Sequence, residues 1–292
     1  MRVLIIGCGY VGLPLGAQLV RDGHDVFGMR RTVGSSAELT AAGIKPLTGD
    51  ITKPEGLAQL PAAYDWVVNC VSSSHGNVED YREVYFGGMR NLIEWLGPAP
   101  PQKFVYTSST AVYGQTDASM VEETSPTEPE ADTARVLVET EKVLIEAAPK
   151  FPGVILRVAG IYGPERGSWF KQYLKGEAKL EGKGERILNM IHLDDVIGAI
   201  VAALKGGRPG QVYNVVDNEP VTQLDYFRWL SNRLGKPLPP SAPDQENAER
   251  KRVLTSKKVS NRKLKTQLGY RLKFPSFREG YDPEILRLGL SG

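Results

Sequence analysis

The stretch RVLIIGCGYVGLPLG, residues 2–16, decides the fold. An apolar run from Val3 to Ile6 ends at Gly7-Cys8-Gly9-Tyr10-Val11-Gly12 and then turns helix-like. That is a buried strand, a tight glycine turn and the start of a helix. Each glycine has a physical task. Gly7 permits the turn, Gly9 lets the backbone come up to a diphosphate, and Gly12 lets the helix pack on the strand. Unpaired N–H groups at the helix start favour an anion there, beside Tyr10 and Val11. Pro14 is tolerated because its missing N–H lies in the first turn.

A single glycine pattern also fits any strand-to-helix turn. A second strand over residues 25–29, at the spacing of a βαβ unit, turns the reading towards a dinucleotide site. That strand ends in Met29-Arg30-Arg31-Thr32. An NAD-selective site would place Asp or Glu there for the ribose 2′-hydroxyl. Two guanidiniums suit a 2′-phosphate instead, so NADP(H) is the expected cofactor; the alternative is a solvated basic turn.

The chain has 292 residues, enough for a Rossmann-type domain and a smaller appendage. Lys and Arg number 36 against 34 Asp and Glu, a net charge of +2, which points to neither nucleic acid nor membrane. Cys8 and Cys70 are the two cysteines, read as free thiols of a reducing compartment, and neither has metal-site spacing. Met1 leads straight into a core strand, so no signal peptide is expected, and no apolar run approaches a membrane span. The expectation is a soluble, cytoplasmic protein without bound metal.

Apolar strands alternate with amphipathic helices through the first half. Strands are expected at 45–48, 66–69, 103–107 and 154–157, with helices at 35–42, 54–59, 78–96 and 132–147. From Gly160 the texture becomes polar and glycine-punctuated. The βα pattern resumes with a strand at 187–191, a helix at 193–204 and a strand at 211–215, before a helical tail with proline-rich joints. The fold class is α/β: a Rossmann doubly wound parallel sheet with a smaller, discontinuous C-terminal substrate lobe. Its domains are residues 1–160 plus 186–216, and 161–185 plus 217–292. A basic excess in the tail (Arg250, Lys251, Arg252, Lys257, Lys258, Arg262, Lys263, Lys265) reads as a solvated face or as a wall for an anionic substrate.

Several motifs fall in order: Gly7 to Gly12, Tyr106-Thr107-Ser108-Ser109-Thr110-Ala111-Val112-Tyr113-Gly114, Arg157 with Ile161-Tyr162-Gly163-Pro164, and Ile191-His192-Leu193-Asp194-Asp195-Val196. Over almost the whole chain they resemble the extended short-chain dehydrogenase/reductases, the nucleotide-sugar epimerase/dehydratase family. The resemblance implies hydroxyl/carbonyl redox chemistry on a sugar-derived substrate. It places Asp50 and Ile51 at the adenine, Cys70 and Val71 beside the cofactor ribose, Ser108 at the cofactor, and Ala159 and Gly160 near the nicotinamide carboxamide. Ser109 matches the catalytic serine or threonine. A homodimer through 78–96 and 132–147 is also implied, although Glu139, Lys142 and Glu146 leave that surface mixed.

The chain departs from the family at its Tyr-x-x-x-Lys pair. With Glu141 as the recurrent Glu of that helix, the Lys position falls on Leu137, beside the cofactor, and the Tyr position on Thr133. No tyrosine lies between Tyr113 and Tyr162. The pattern resembles the atypical branch that keeps the nucleotide site and lacks the pair. In the usual site the ammonium lowers the phenol pKa so that it can exchange a proton near neutrality; Leu137 and Thr133 cannot. Tyr81, Tyr85, Gly88 and Leu92 share one face of the helix at 78–96, which makes Tyr85 the first candidate for a surrogate acid; the alternative is an ordinary buried aromatic with a satisfied hydroxyl. His75, Tyr81, Arg135 and Tyr162 are candidate substrate contacts. His192 reads as a structural helix start. Two functions stay open: an NADP(H)-dependent oxidoreductase or epimerase-like enzyme, and a non-catalytic NADP(H) sensor or scaffold.

Overall fold

A computed structural model describes residues 1–32, 36–148, 150–242 and 255–290. Strands β1 (Arg2–Ile6), β2 (Asp25–Arg30), β3 (Lys45–Thr48), β4 (Trp66–Asn69) and β5 (Lys103–Ser109) alternate with helices. These are α1 (Gly12–Arg21), α2 (Ser36–Ala41), α3 (Pro54–Leu57), α4 (Val78–Tyr81) and α5 (Gly88–Leu96). After β5 come β6 (Met120–Val121), α6 (Asp132–Ala147), β7 (Gly153–Val158), β8 (Gly160–Tyr162) and α7 (Ser168–Lys175). Then follow β9 (Ile187–Leu188), β10 (Met190–His192), α8 (Leu193–Gly206), β11 (Val212–Val215), β12 (Val221–Thr222), α9 (Gln223–Leu234) and β13 (Lys258–Val259).

Seven strands form one parallel sheet in the order β11-β7-β5-β4-β1-β2-β3. The order reverses between β1 and β4, so their carboxyl ends open the crevice where such sheets bind ligands. Both faces are covered, as an all-parallel sheet requires. Val3 and Ile5 join a core with α1 and α8, while Leu4 and Ile6 face the other way onto Met89 and Leu92 of α5. A third cluster, rich in aromatics (Tyr162, Phe170, Tyr173, Tyr226, Phe227, Phe277, Tyr281), is the core of the lobe.

Two elements differ from the sequence expectation. The helix at 78–96 contains a π-helical segment, Arg82–Gly87, between α4 and α5. Gly88 lies so close to Ile51 that a Cβ there would sit 2.5 Å from its Cδ1. The wider π turn carries Tyr85 and changes the simple helical phase. The strand expected at 187–191 is two short ones outside the main sheet: β9 pairs antiparallel with β12, and β10 pairs parallel with β8. Leu188 and Met190 accordingly pack in the lobe's core. Near its end the chain returns to the sheet domain, where β13 pairs with β6, and Val259 and Leu264 join the large core. Arg250, Lys251 and Arg252 lie outside the described residues. Among the described residues no helix is long and apolar enough to cross a membrane.

Candidate active site

A cleft of about 860 Å³ runs from the glycine turn across the ends of β1, β4, β5 and β7 to the lobe. Gly7 has φ +76°, and a Cβ on it would lie 2.7 Å from the Val71 backbone nitrogen, so only glycine lets the ends of β1 and β4 meet there. A Cβ on Gly12 would press on Ile5 at 2.9 Å. Gly9 is different: the nearest atom to a Cβ there is the Gly7 carbonyl, at 4.0 Å. Nothing in the protein needs Gly9 to be bare, whereas a diphosphate above the turn would. The cradle therefore fits a dinucleotide.

Arg30 and Arg31 both line the cleft but are held differently. Arg30 donates through Nε to the Cys8 carbonyl (2.5 Å) and pairs with Glu38 (2.8 Å). Arg31 donates to the Ser74 hydroxyl (2.7 Å) and meets no carboxylate within ion-pair distance among the described residues. Ser74 belongs to the loop after β4, whose Ser73 and Asp80 side chains bond each other. Ile51, Cys70 and Val71 line the cleft. Asp50 turns Oδ1 back to the Thr52 N–H and hydroxyl, both at 2.9 Å, in an Asx turn. Cys8 and Cys70 are unpaired thiols, pushed up to about 12 by burial and so unreactive. Tyr10 donates its hydroxyl to the Pro164 carbonyl (2.9 Å) beneath the Arg166 guanidinium, tying the glycine turn to the lobe.

Ser109 and Tyr85 line the cleft together, with Ala159 and Gly160. They also share a smaller adjoining cavity of about 180 Å³ with Tyr81, Thr133, Ala134 and Leu137. Thr133 and Leu137, which the sequence reading sets at the Tyr and Lys positions, thus border the space beside Ser109. Ser109 Oγ accepts the Ala111 N–H (3.1 Å), which leaves its own proton available. Tyr85 Oη accepts the Ser73 N–H (3.1 Å), and burial raises its pKa above the usual phenol value. A cation would lower that pKa, but Leu137 brings none.

Ser108 also lines the cleft and the adjoining cavity. Its hydroxyl donates to buried Glu141 (2.6 Å), which is bound by Arg157 (2.7 Å). Arg157 in turn reaches the Tyr113 hydroxyl (2.8 Å), and Tyr113 donates to Asn214 (2.8 Å). This chain of buried, satisfied polar groups fixes the end of β5 relative to β7 and α6. The remaining predicted residues are dispersed. Arg135 bonds Asp132 and the Pro129 carbonyl and lies off the cleft wall. His75 is exposed, 3.4 Å from Asp80, also off the wall. Tyr162, by contrast, does line the cleft; it is buried, donating to the Ser276 carbonyl and stacking on Tyr281. His192 caps α8 by accepting the Asp194 N–H (3.1 Å), and burial lowers its pKa, so it is a structural helix start as expected.

Lys257 was legible in the sequence only as part of a basic run. It is 5% exposed and lines the cleft. A lone lysine in a polar stretch carries no burial signal, and only the tertiary pairing of β13 with β6 brings it inside. Arg186, on the same wall, donates to Glu181 (3.0 Å) and to the Thr255 carbonyl (3.3 Å). Among the described residues no group of His, Cys, Asp or Glu could hold a metal ion.

The profile of the NAD dependent epimerase/dehydratase family matches residues 3–216. Protein YeeZ of Escherichia coli K12 is 26% identical over 98% of this chain and 99% of its own length. A 3-diazoavenalumate denitrifying reductase of a Streptomyces species is 25% identical, covering 97% of this chain and 100% of that protein. Among solved structures, dTDP-glucose 4,6-dehydratase (DesIV) of Streptomyces venezuelae, crystallised with NAD and TYD, superposes with a TM-score of 0.83. At 23% identity, over 98% of this chain and 96% of that one, it supports the fold alone.

Proposed function

Because the chain belongs to the NAD dependent epimerase/dehydratase family, we propose that it is an NADP(H)-dependent oxidoreductase or epimerase-like enzyme. Its substrate is a polar carbonyl or hydroxyl compound, sugar-derived in the first instance. The observation that carries this reading is Gly9, bare over open space beside two cleft arginines at the end of β2. Sugar-dehydratase relatives favour a sugar; the similar diazoavenalumate reductase widens the class to other polar substrates. Two unpaired thiols fit a cytoplasmic setting, and a homodimer through the α4–α5 and α6 faces fits the family.

When bound, the nicotinamide supplies hydride exchange at the oxygen-bearing carbon. The Ser109 hydroxyl, whose proton is not used within the protein, donates to that oxygen and orients it. Tyr85 is neutral at physiological pH because burial raises its pKa; it donates a second hydrogen bond and passes a proton only as charge develops on the oxygen. Ser108, Glu141 and Arg157 keep the end of β5 rigid, so that both hydroxyls address one point.

The test is to mix pure protein with NADPH or NADP⁺ and a panel of sugars, nucleotide sugars and keto compounds, following nicotinamide absorbance. Turnover that drops by about two or more orders of magnitude in Tyr85→Phe supports the surrogate acid; an unchanged rate removes Tyr85. Tight NADPH binding with no turnover on any compound favours the alternative of a non-catalytic sensor or scaffold, for which the absent Tyr and Lys are the motive.

A further inference from the structure

The cleft wall opposite the glycine turn holds a buried cation that the nucleotide reading does not use. Lys257 Nζ donates to the Tyr113 carbonyl (2.6 Å) and to the Thr255 hydroxyl (2.8 Å). The first acceptor ends the short turn that follows Ser109. The Lys257 backbone is pinned as well: Asn189 Nδ2 donates to its carbonyl (2.8 Å), and the Asn189 carbonyl accepts the Gly160 N–H (3.2 Å). The ammonium is thus fixed between the Ser109 turn and the Gly160 strand, the two segments that border the reacting end of the cleft. Two of its three protons are spent on neutral acceptors.

Burying an ammonium without a counter-ion is costly, and folded proteins pair such charges. No carboxylate lies within ion-pair distance of Lys257 among the described residues, and Arg186 is its main charged neighbour. Burial, then the Arg186 charge, push Lys257 down to about 8, so it remains mostly protonated at neutral pH. Arg186 is already met by Glu181, whose side chain is 5% exposed. Guanidinium and carboxylate cancel, so among the described residues of this wall Lys257 is the unmatched charge; Arg166, on the same cleft, lies over the Tyr10 ring at the glycine turn.

We infer that Lys257 seats a carboxylate carried by the substrate, close to the carbon that Ser109 and Tyr85 address. The assignment rests on the reading of this cleft as the substrate site. One ammonium with one N–H not used among the described residues suits a monoanion; a phosphate or diphosphate would call for a second cation at the same point, and the neighbouring Arg186 is held by Glu181. The substrate class narrows accordingly to acidic hydroxyl or carbonyl compounds, such as sugar acids or 2-oxo acids.

The experiment is calorimetric titration of the NADP⁺-loaded full-length protein, in which no reduction can occur, with 2-oxobutanoate, its amide and inorganic phosphate. The same titrations are run on Lys257→Gln and Lys257→Arg. Gln keeps a donor for the Tyr113 carbonyl, and melting curves establish that each variant is folded. The expected result is one saturable site for the carboxylate, with the amide and phosphate at least about tenfold weaker. Lys257→Gln should lose at least about tenfold while still binding NADP⁺, and Lys257→Arg should retain part of the affinity. Absence of carboxylate binding to wild type, an unchanged affinity in Lys257→Gln, or tighter binding of phosphate overturns the assignment. If NADP⁺ itself does not bind, the nucleotide reading fails instead, and the carboxylate titration on the bare protein still decides Lys257.

Discussion

Replacement of Arg31 by Ala separates cofactor choice from cofactor binding. Among the described residues its guanidinium is tethered only by the Ser74 hydroxyl, so it can turn to a 2′-phosphate at the cost of one neutral hydrogen bond. A hydrogen bond to a charged partner contributes about 1.5–3 kcal/mol, and about 1.4 kcal/mol is tenfold in affinity. Because Arg31 is exposed, the lower end applies, and Arg31→Ala should weaken NADPH about tenfold at physiological salt and more at low salt. NADH, which lacks the phosphate, should change less than about threefold. Arg30 behaves differently. It braces the glycine turn through the Cys8 carbonyl and is paired with Glu38. Arg30→Ala should therefore weaken both cofactors, and Glu38→Gln, by freeing Arg30, should tighten NADPH. Nucleotide fluorescence titration at two salt concentrations measures all of these. Equal weakening of NADPH and NADH by Arg31→Ala, or a wild type that prefers NADH, would refute the 2′-phosphate assignment.

Other outcomes can be checked alongside. Asp217 is buried with Oδ2 unpartnered, and burial pushes its pKa up to about 8 from 3.8. The folded state then binds a proton more tightly than the unfolded one, so stability should fall as pH rises from about 4 to about 8 and level off above. Asp217→Asn should flatten that slope and stabilise the protein by a few kcal/mol (about) near pH 8, read from urea melts; a variant that keeps the full slope places its origin elsewhere. Gly9→Val should keep the wild-type melting temperature yet lose NADPH at least about tenfold, because the nearest described atom to a Cβ there is 4.0 Å away. Gly7→Ala, with φ +76° and a Cβ driven into Val71, should destabilise by about 2 kcal/mol or more. Unchanged NADPH binding in Gly9→Val would move the cofactor off the turn.

Local order along the chain was enough to read the fold class. The apolar strand before Gly7, the three glycines and the repeated strand–helix alternation are short-range signals, and the seven-stranded parallel sheet carries them. The arginine pair was readable for the same reason, since the end of β2 lies a fixed distance from the glycine turn in any such βαβ unit. The approach of Tyr85 to Ser109 was foreseen from helical spacing, and both line one cavity. The π turn over Arg82–Gly87 was not, because nothing in the spacing of apolar residues marks where the helix widens.

What the sequence by itself determined is therefore the glycine-turn half of this protein: the strand–turn–helix, Gly9 and the two guanidiniums at the end of β2. What only the tertiary structure decided is the substrate half. Adjacent serines look alike in sequence and both line the cleft, yet the fold ties the Ser108 hydroxyl to buried Glu141, whereas Ser109 Oγ accepts the Ala111 N–H. Lysines in a basic run look alike too, yet the pairing of β13 with β6 buries Lys257. The physical reason is common to both cases. Burial and charge pairing depend on which distant segments meet, and residue type and local spacing do not carry that information.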